Sequence, residues 1–167
     1  MNIELKKVQF SEHLSEETNA FTANLYVDGK HLGYIRNDGR GGNTDVYHNK
    51  PEHKEKFREV EEYCKTLPPR TYTFNGQEHS FDMNLENFVD ELFEHWLKRK
   101  ENKKKERKMK TNLMWGVPNG HSYKTVNFKR PLTEIPHNVL QQQINRWKET
   151  FEDGEVFFNT NLNDFEL

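Results

Sequence analysis

Thirteen consecutive residues carry the densest chemistry in the chain. Lys98, Arg99, Lys100, Lys103, Lys104, Lys105, Arg107, Lys108 and Lys110 stand against only Glu101 and Glu106, a net +7 in a protein whose total is −2. Cations at this density suit phosphates, because each contact releases counterions and adds affinity that depends on salt and not on base sequence. A run of like charge rarely folds alone. It also reads as a solvated helix end, where cations favour the negative pole of the dipole, or as a surface for an acidic protein partner or for the chain's own acidic blocks. Those blocks flank it: residues 1–97 hold eleven Lys/Arg and eighteen Asp/Glu, and residues 111–167 hold five and seven.

Two rings lie close behind the basic run. Trp115 and Tyr123 flank the turn signal Pro118-Asn119-Gly120 and could form a platform of ring and cation for a base. The other reading puts Trp115 in the core.

The string Asn37-Asp38-Gly39-Arg40-Gly41-Gly42-Asn43-Thr44 is the second candidate. Gly39, Gly41 and Gly42 free the backbone to turn N–H groups inward around an anion. Arg36 and Arg40 could add charge-assisted bonds to a phosphate, and Asn43 completes the loop. Tyr34, Tyr47 and His48 are near enough in sequence to stack a base, which would make a nucleotide or single-strand site. As a dinucleotide fingerprint the string fails, since its sixth position is Thr44 and no helix signal follows; as a P-loop it lacks Gly-Lys-Ser/Thr. The alternative is a wide turn between edge strands.

Other chemistry finds little support. Among eight histidines no HExxH occurs, and His48 with His53, or His79 with Asp82, lack a third ligand at a recognisable distance. No metal site and no cofactor is expected. Glu86, Asp90 and Glu94 repeat every four residues, and Glu52, Glu55, Glu59 and Glu62 form a second row interleaved with Lys54, Lys56 and Arg58. Such rows read as solvated faces first, then as a surface that imitates a phosphate backbone, then as acid/base or magnesium groups. Glu101-Asn102-Lys103 has a nuclease-like spacing but sits in a hydrated charged run. No Gly-x-Ser-x-Gly elbow occurs, and the single cysteine, Cys64, falls on an apolar helix stripe as a small core residue.

The elements that must position these groups follow from periodicity. Alternation over Asn2 to Phe10 with a slip at Lys6-Lys7 predicts a bulged strand. Phe21 to Val27 is the cleanest strand, Asp28-Gly29 a hairpin turn, and Leu32 to Asn37 and Thr44 to His48 continue a meander. Pro51 opens a helix bearing Phe57, Val60, Cys64 and Leu67, which Pro68-Pro69 stops. Tyr72 to Phe81 is a hairpin turning at Asn75-Gly76. Asn84 caps the best helix, with Met83 and Phe88 as a staple and a stripe of Leu85, Phe88, Val89, Leu92, Phe93, Trp96 and Leu97. If helical to Lys110 it has a basic second half. Thr111 to Val117 and His121 to Lys129 make a third hairpin. A last helix bears Leu140, Ile144, Trp147 and Phe151, and Glu155 to Thr160 is a terminal strand. Hairpins between helices predict an α+β fold, an antiparallel sheet of hairpins with two or three amphipathic helices, in one domain over 1–167 with 98–110 as a basic helical extension or linker.

Composition sets the bounds. A length of 167 residues predicts one core, and Leu, Ile, Val and Phe number 38, so twelve Phe, six Tyr and three Trp are expected to supply much of it. No run approaches the ~18 apolar residues of a membrane span, and no secretory signal is legible; one cysteine excludes an internal disulfide. A cytoplasmic protein without a membrane partner is expected. Eighteen Asn and two Ala point to an A·T-rich genome, and a small, charged, Ala-poor chain resembles the accessory products of phages and mobile elements in composition. The expected function is a non-enzymatic binding protein that engages nucleic acid or a nucleoprotein complex through its basic segment. Two alternatives are an inhibitor of a host defence enzyme presenting acidic helices, and a small-nucleotide binder or phosphodiesterase at the Gly-rich loop.

Overall fold

A computed structural model describes every residue except His121, and of Phe74 the backbone alone. His121, expected to open a strand, lies outside the described residues. The chain divides into two compact units, residues 1–97 and 98–167. The architecture is α+β throughout, with antiparallel sheets and three α-helices among the described residues. No helix among them is long and apolar enough to cross a membrane.

In the first unit β1 (Ile3–Ser11), β2 (Ala20–Val27), β3 (Lys30–Asn37) and β4 (Asp45–His48) form a four-stranded meander in chain order. The slip at Lys6-Lys7 is a bulge: the register shifts between Lys6 and Gln9, and Lys7 takes φ +52°. It keeps Leu5 and, beyond it, Val8 and Phe10 on the core side. Asp28 and Gly29 both have positive φ, +47° and +79°, the turn whose twist matches that of the strands it joins. A 3-10 turn (Pro51–His53) leads into α1 (Lys54–Lys65). β5 (Arg70–Phe74) and β6 (Gln77–Phe81) pair around Asn75-Gly76, again both at positive φ.

The long helix α2 (Leu85–Met109) has 25 residues, about 38 Å at ~1.5 Å each. Asn84 caps it, its Oδ1 accepting the Asn87 N–H at 2.7 Å. Its apolar stripe closes the core of the first unit. Val89 and Phe93 are fully buried, and Phe93 lies on Phe21 with centroids 3.9 Å apart and planes 12° from parallel. Val60 and Cys64 of α1 join that core.

In the second unit β7 (Asn112–Gly116) is the centre of a three-stranded sheet, flanked by β8 (Lys124–Asn127) and β9 (Val156–Phe157). Leu113, Leu132, Leu162 and the Leu140 and Ile144 of α3 (His137–Lys148) form its core. Two expectations change here. The last helix stops at Lys148, short of Phe151, because the Thr150 N–H and hydroxyl both bond the Trp147 carbonyl, the latter at 2.7 Å. The terminal strand has two residues, because the Asn159 side chain takes over the ladder: its Oδ1 accepts the Met114 N–H at 2.8 Å and its Nδ2 donates to the Asn112 carbonyl at 2.8 Å.

Candidate nucleic-acid interface

The basic run begins inside α2, which fixes where its cations point. With 3.6 residues per turn, Arg99, Lys103 and Arg107 form one row and Lys100, Lys104 and Lys108 the row beside it, each stepping ~6 Å per member. Glu101 and Glu106 fall outside these rows, and Met109, which is buried, lies on the opposite side. Lys98, Arg99, Lys100, Lys103, Lys104, Arg107, Lys108 and Lys110 are exposed and Lys105 is half-buried. Lys100 has an interaction of its own. None of the other cations of the run is ion-paired to a carboxylate among the described residues.

Tyr123 joins this surface and Trp115 does not. The Lys108 ammonium donates to the Tyr123 hydroxyl at 3.1 Å, and the Lys105 and Lys108 ammonium groups lie 5.8 and 5.4 Å from the ring centre, so cation and ring form one patch. Trp115 is 4% exposed and packs among Trp147, Phe151 and Phe157. A chain so poor in aliphatic residues needs that ring inside, and no platform of the two aromatics exists.

The Gly-rich loop is fastened rather than open. Of its N–H groups, Gly39 donates to Asn37 Oδ1 (2.9 Å), Arg40 to Asp38 Oδ1 (3.3 Å), Gly41 to the Thr18 hydroxyl (3.3 Å) and Thr44 to Glu86 Oε1 (3.2 Å). The Gly39 carbonyl receives the N–H groups of Glu16, Glu17 and Thr18. Buried Asn37 holds the interior, its Nδ2 donating to the Thr44 hydroxyl at 2.9 Å and its Oδ1 accepting from the Thr18 hydroxyl at 2.9 Å. The expected concave array of N–H groups around an anion is therefore not formed at these four residues, and two of their acceptors are carboxylates. The glycines answer to packing: Gly39 has φ +85°, and a Cβ there would stand 2.3 Å from the Leu14 carbonyl oxygen. Gly42 faces open space and Asn43 is exposed.

The side chains of that region are a separate matter. Arg36 and Arg40 are exposed, and neither guanidinium makes an ion pair or hydrogen bond among the described residues. Both line a groove of about 610 Å³ together with Tyr34. Thr18, which ties the loop down, carries no local signal in the sequence, since its partners lie 19 and 23 residues away.

The acidic rows are largely engaged at home. Lys56 pairs with Glu59, Lys65 with Glu62 and Arg70 with Glu94. Asp90 accepts the Thr44 hydroxyl at 2.5 Å; burial, more than its Glu86 and Glu94 neighbours, lifts its carboxyl above the ordinary range, and the Thr44 bond opposes that lift. Burial also pushes the Cys64 thiol up to about 11, which suits a core residue and not a nucleophile. No group of three or more His, Cys, Asp or Glu among the described residues is arranged to hold a metal ion. No protein family, curated protein or solved structure matches this chain.

Proposed function

We propose that this is a non-enzymatic nucleic-acid-binding protein that grips phosphates, free or within a nucleoprotein complex, through the basic half of α2. The observation that carries the reading is the two rows of three cations, free of intervening carboxylates, on one continuous helix beside Tyr123. The helix spaces the roots of those side chains regularly and their flexible stems supply the reach, so several phosphates can be met at once without ordering the backbone first. Work in the cytoplasm accords with it. The acidic-inhibitor alternative has less behind it, because Glu59, Glu62, Glu86, Asp90 and Glu94 already have partners within the chain.

The test is a salt series with labelled duplex and single strand. Log affinity should fall linearly with log salt, and Lys103→Gln, Lys104→Gln and Lys105→Gln together should flatten the duplex slope by about 0.9 for each phosphate no longer neutralised. Exposed substitutions of this kind should leave stability within about 0.5 kcal/mol. Binding indifferent to ionic strength, or unchanged in the triple variant, would remove the phosphate account.

A further inference from the structure

We infer that the outer face of the four-stranded sheet binds single-stranded nucleic acid, a base stacking on Tyr34 or Tyr47 while Arg36 and Arg40 hold the flanking phosphates. Strand alternation divides the sheet cleanly. Leu25, Ile35 and Val46 turn to the core, so their chain neighbours turn away from it. Registration then sets the outward residues in rows. Asn24, Tyr34 and Tyr47 are directly opposite one another, and Thr22, Arg36 and Asp45 form the next row. Tyr34 is 41% and Tyr47 52% exposed, so two rings paired across β3 and β4 stand in solvent on one face.

Three features fit a single strand. Opposed residues on adjacent strands stand ~5 Å apart, so two rings present a stacking surface that every base can use. Two guanidiniums without an ion pair or hydrogen bond among the described residues supply the matching charge. The groove they line, about 610 Å³, is of nucleotide-ligand size. Glu16 and Asp38 also line it, and Asp45 stands opposite Arg36 in the next row, so three carboxylates face the two guanidiniums and stacking must carry the affinity. The face is independent of the basic helix, since every residue it uses belongs to the first unit.

The full chain carrying Arg99→Gln, Lys100→Gln, Lys103→Gln, Lys104→Gln, Arg107→Gln and Lys108→Gln, titrated with a labelled 12-mer single strand and with its duplex, separates the two sites. Single-strand binding should persist in this background, be tighter than duplex binding, and show a salt slope no steeper than about −1.4 for two phosphates. Adding Tyr34→Ala and Tyr47→Ala should weaken it by roughly 5- to 150-fold per base unstacked, whereas Tyr34→Phe with Tyr47→Phe should retain it. Arg36→Gln with Arg40→Gln should flatten the remaining slope; should the alanine variant fail to fold, this pair and the Phe pair decide the matter. Loss of all binding in the background with both cation rows neutralised, equal affinity for duplex there, an alanine variant within twofold of its parent, or an Arg36 and Arg40 pair that leaves the slope unchanged would each overturn the inference, and none of them bears on the duplex slope that tests the basic helix.

Discussion

The Thr44 hydroxyl donates to the Asp90 carboxylate across 2.5 Å, joining the end of the Gly-rich loop to α2 over 46 positions of chain. That bond, with the Thr44 N–H on Glu86, explains why the loop is a fastening. It also leaves a charged group in partial burial, and the consequence is a pH dependence of known sign. A carboxyl raised above its unfolded value of 3.8 binds its proton more tightly when folded. The stability this gives is fully present below pH 3.8 and is lost as pH rises through the folded value. Asp90→Asn, which keeps an oxygen for Thr44, should therefore remove that part of the pH dependence and hold or raise stability at pH 7. Urea midpoints of both proteins between pH 3.5 and 7 check it; a large loss at pH 7 would show that the ionised form is what the fold requires.

Gly39→Ala and Gly42→Ala separate conformational need from composition. At Gly39 a side chain meets positive φ and the Leu14 carbonyl oxygen; at Gly42 nothing lies within 4 Å of the added carbon. The first should cost about 3 kcal/mol or more and the second under about 0.5 kcal/mol. Equal costs in chemical denaturation would contradict the loop's geometry.

Phe93→Ala should cost about 3–5 kcal/mol, since the ring is 1% exposed and stacked on Phe21. Phe88→Ala, on the same helix but only partly buried, should cost less. A reversed order in thermal or urea melts would mean that α2 presents a different face to the core.

Asn159→Ala should cost about 1–3 kcal/mol or somewhat more, because it strands the Met114 N–H and the Asn112 carbonyl in a buried site. Asn159→Leu should not rescue it. Hydrogen exchange at the Met114 amide gives the direct readout, with protection expected to fall in both variants.

Cys64 should resist alkylation at pH 8 in the folded protein and react promptly in denaturant, since a thiol pushed up to about 11 is almost wholly protonated and sits at 0% exposure. Rapid native-state labelling would place it outside the core.

Much of the scaffold is legible from local rules. The Lys6-Lys7 slip, the Asp28-Gly29 and Asn75-Gly76 turns, the Asn84 cap and the stripe from Leu85 to Leu97 each depend on residues within four or so positions of one another, which is the range over which backbone geometry couples side chains. The same holds for the rows of cations from Arg99 to Lys108, whose spacing is helix geometry alone. The candidate site is legible only by halves: Tyr123 and the basic run stand out together, while Trp115 beside the same turn is a ring that the lean composition already favours for the core, where it lies.

The order of residues determined where strands turn, where helices begin, and that thirteen positions would carry an excess of seven charges. Tertiary structure decided which polar groups are left over. Whether the N–H of Gly41 is open to a ligand depends on Thr18, whether Asp90 faces solvent depends on Thr44, and whether Tyr34 stands beside Tyr47 depends on the β3 and β4 register. These are pairings between distant segments, fixed by burial of a common core rather than by any neighbour in the chain, and so they have no local signature to read.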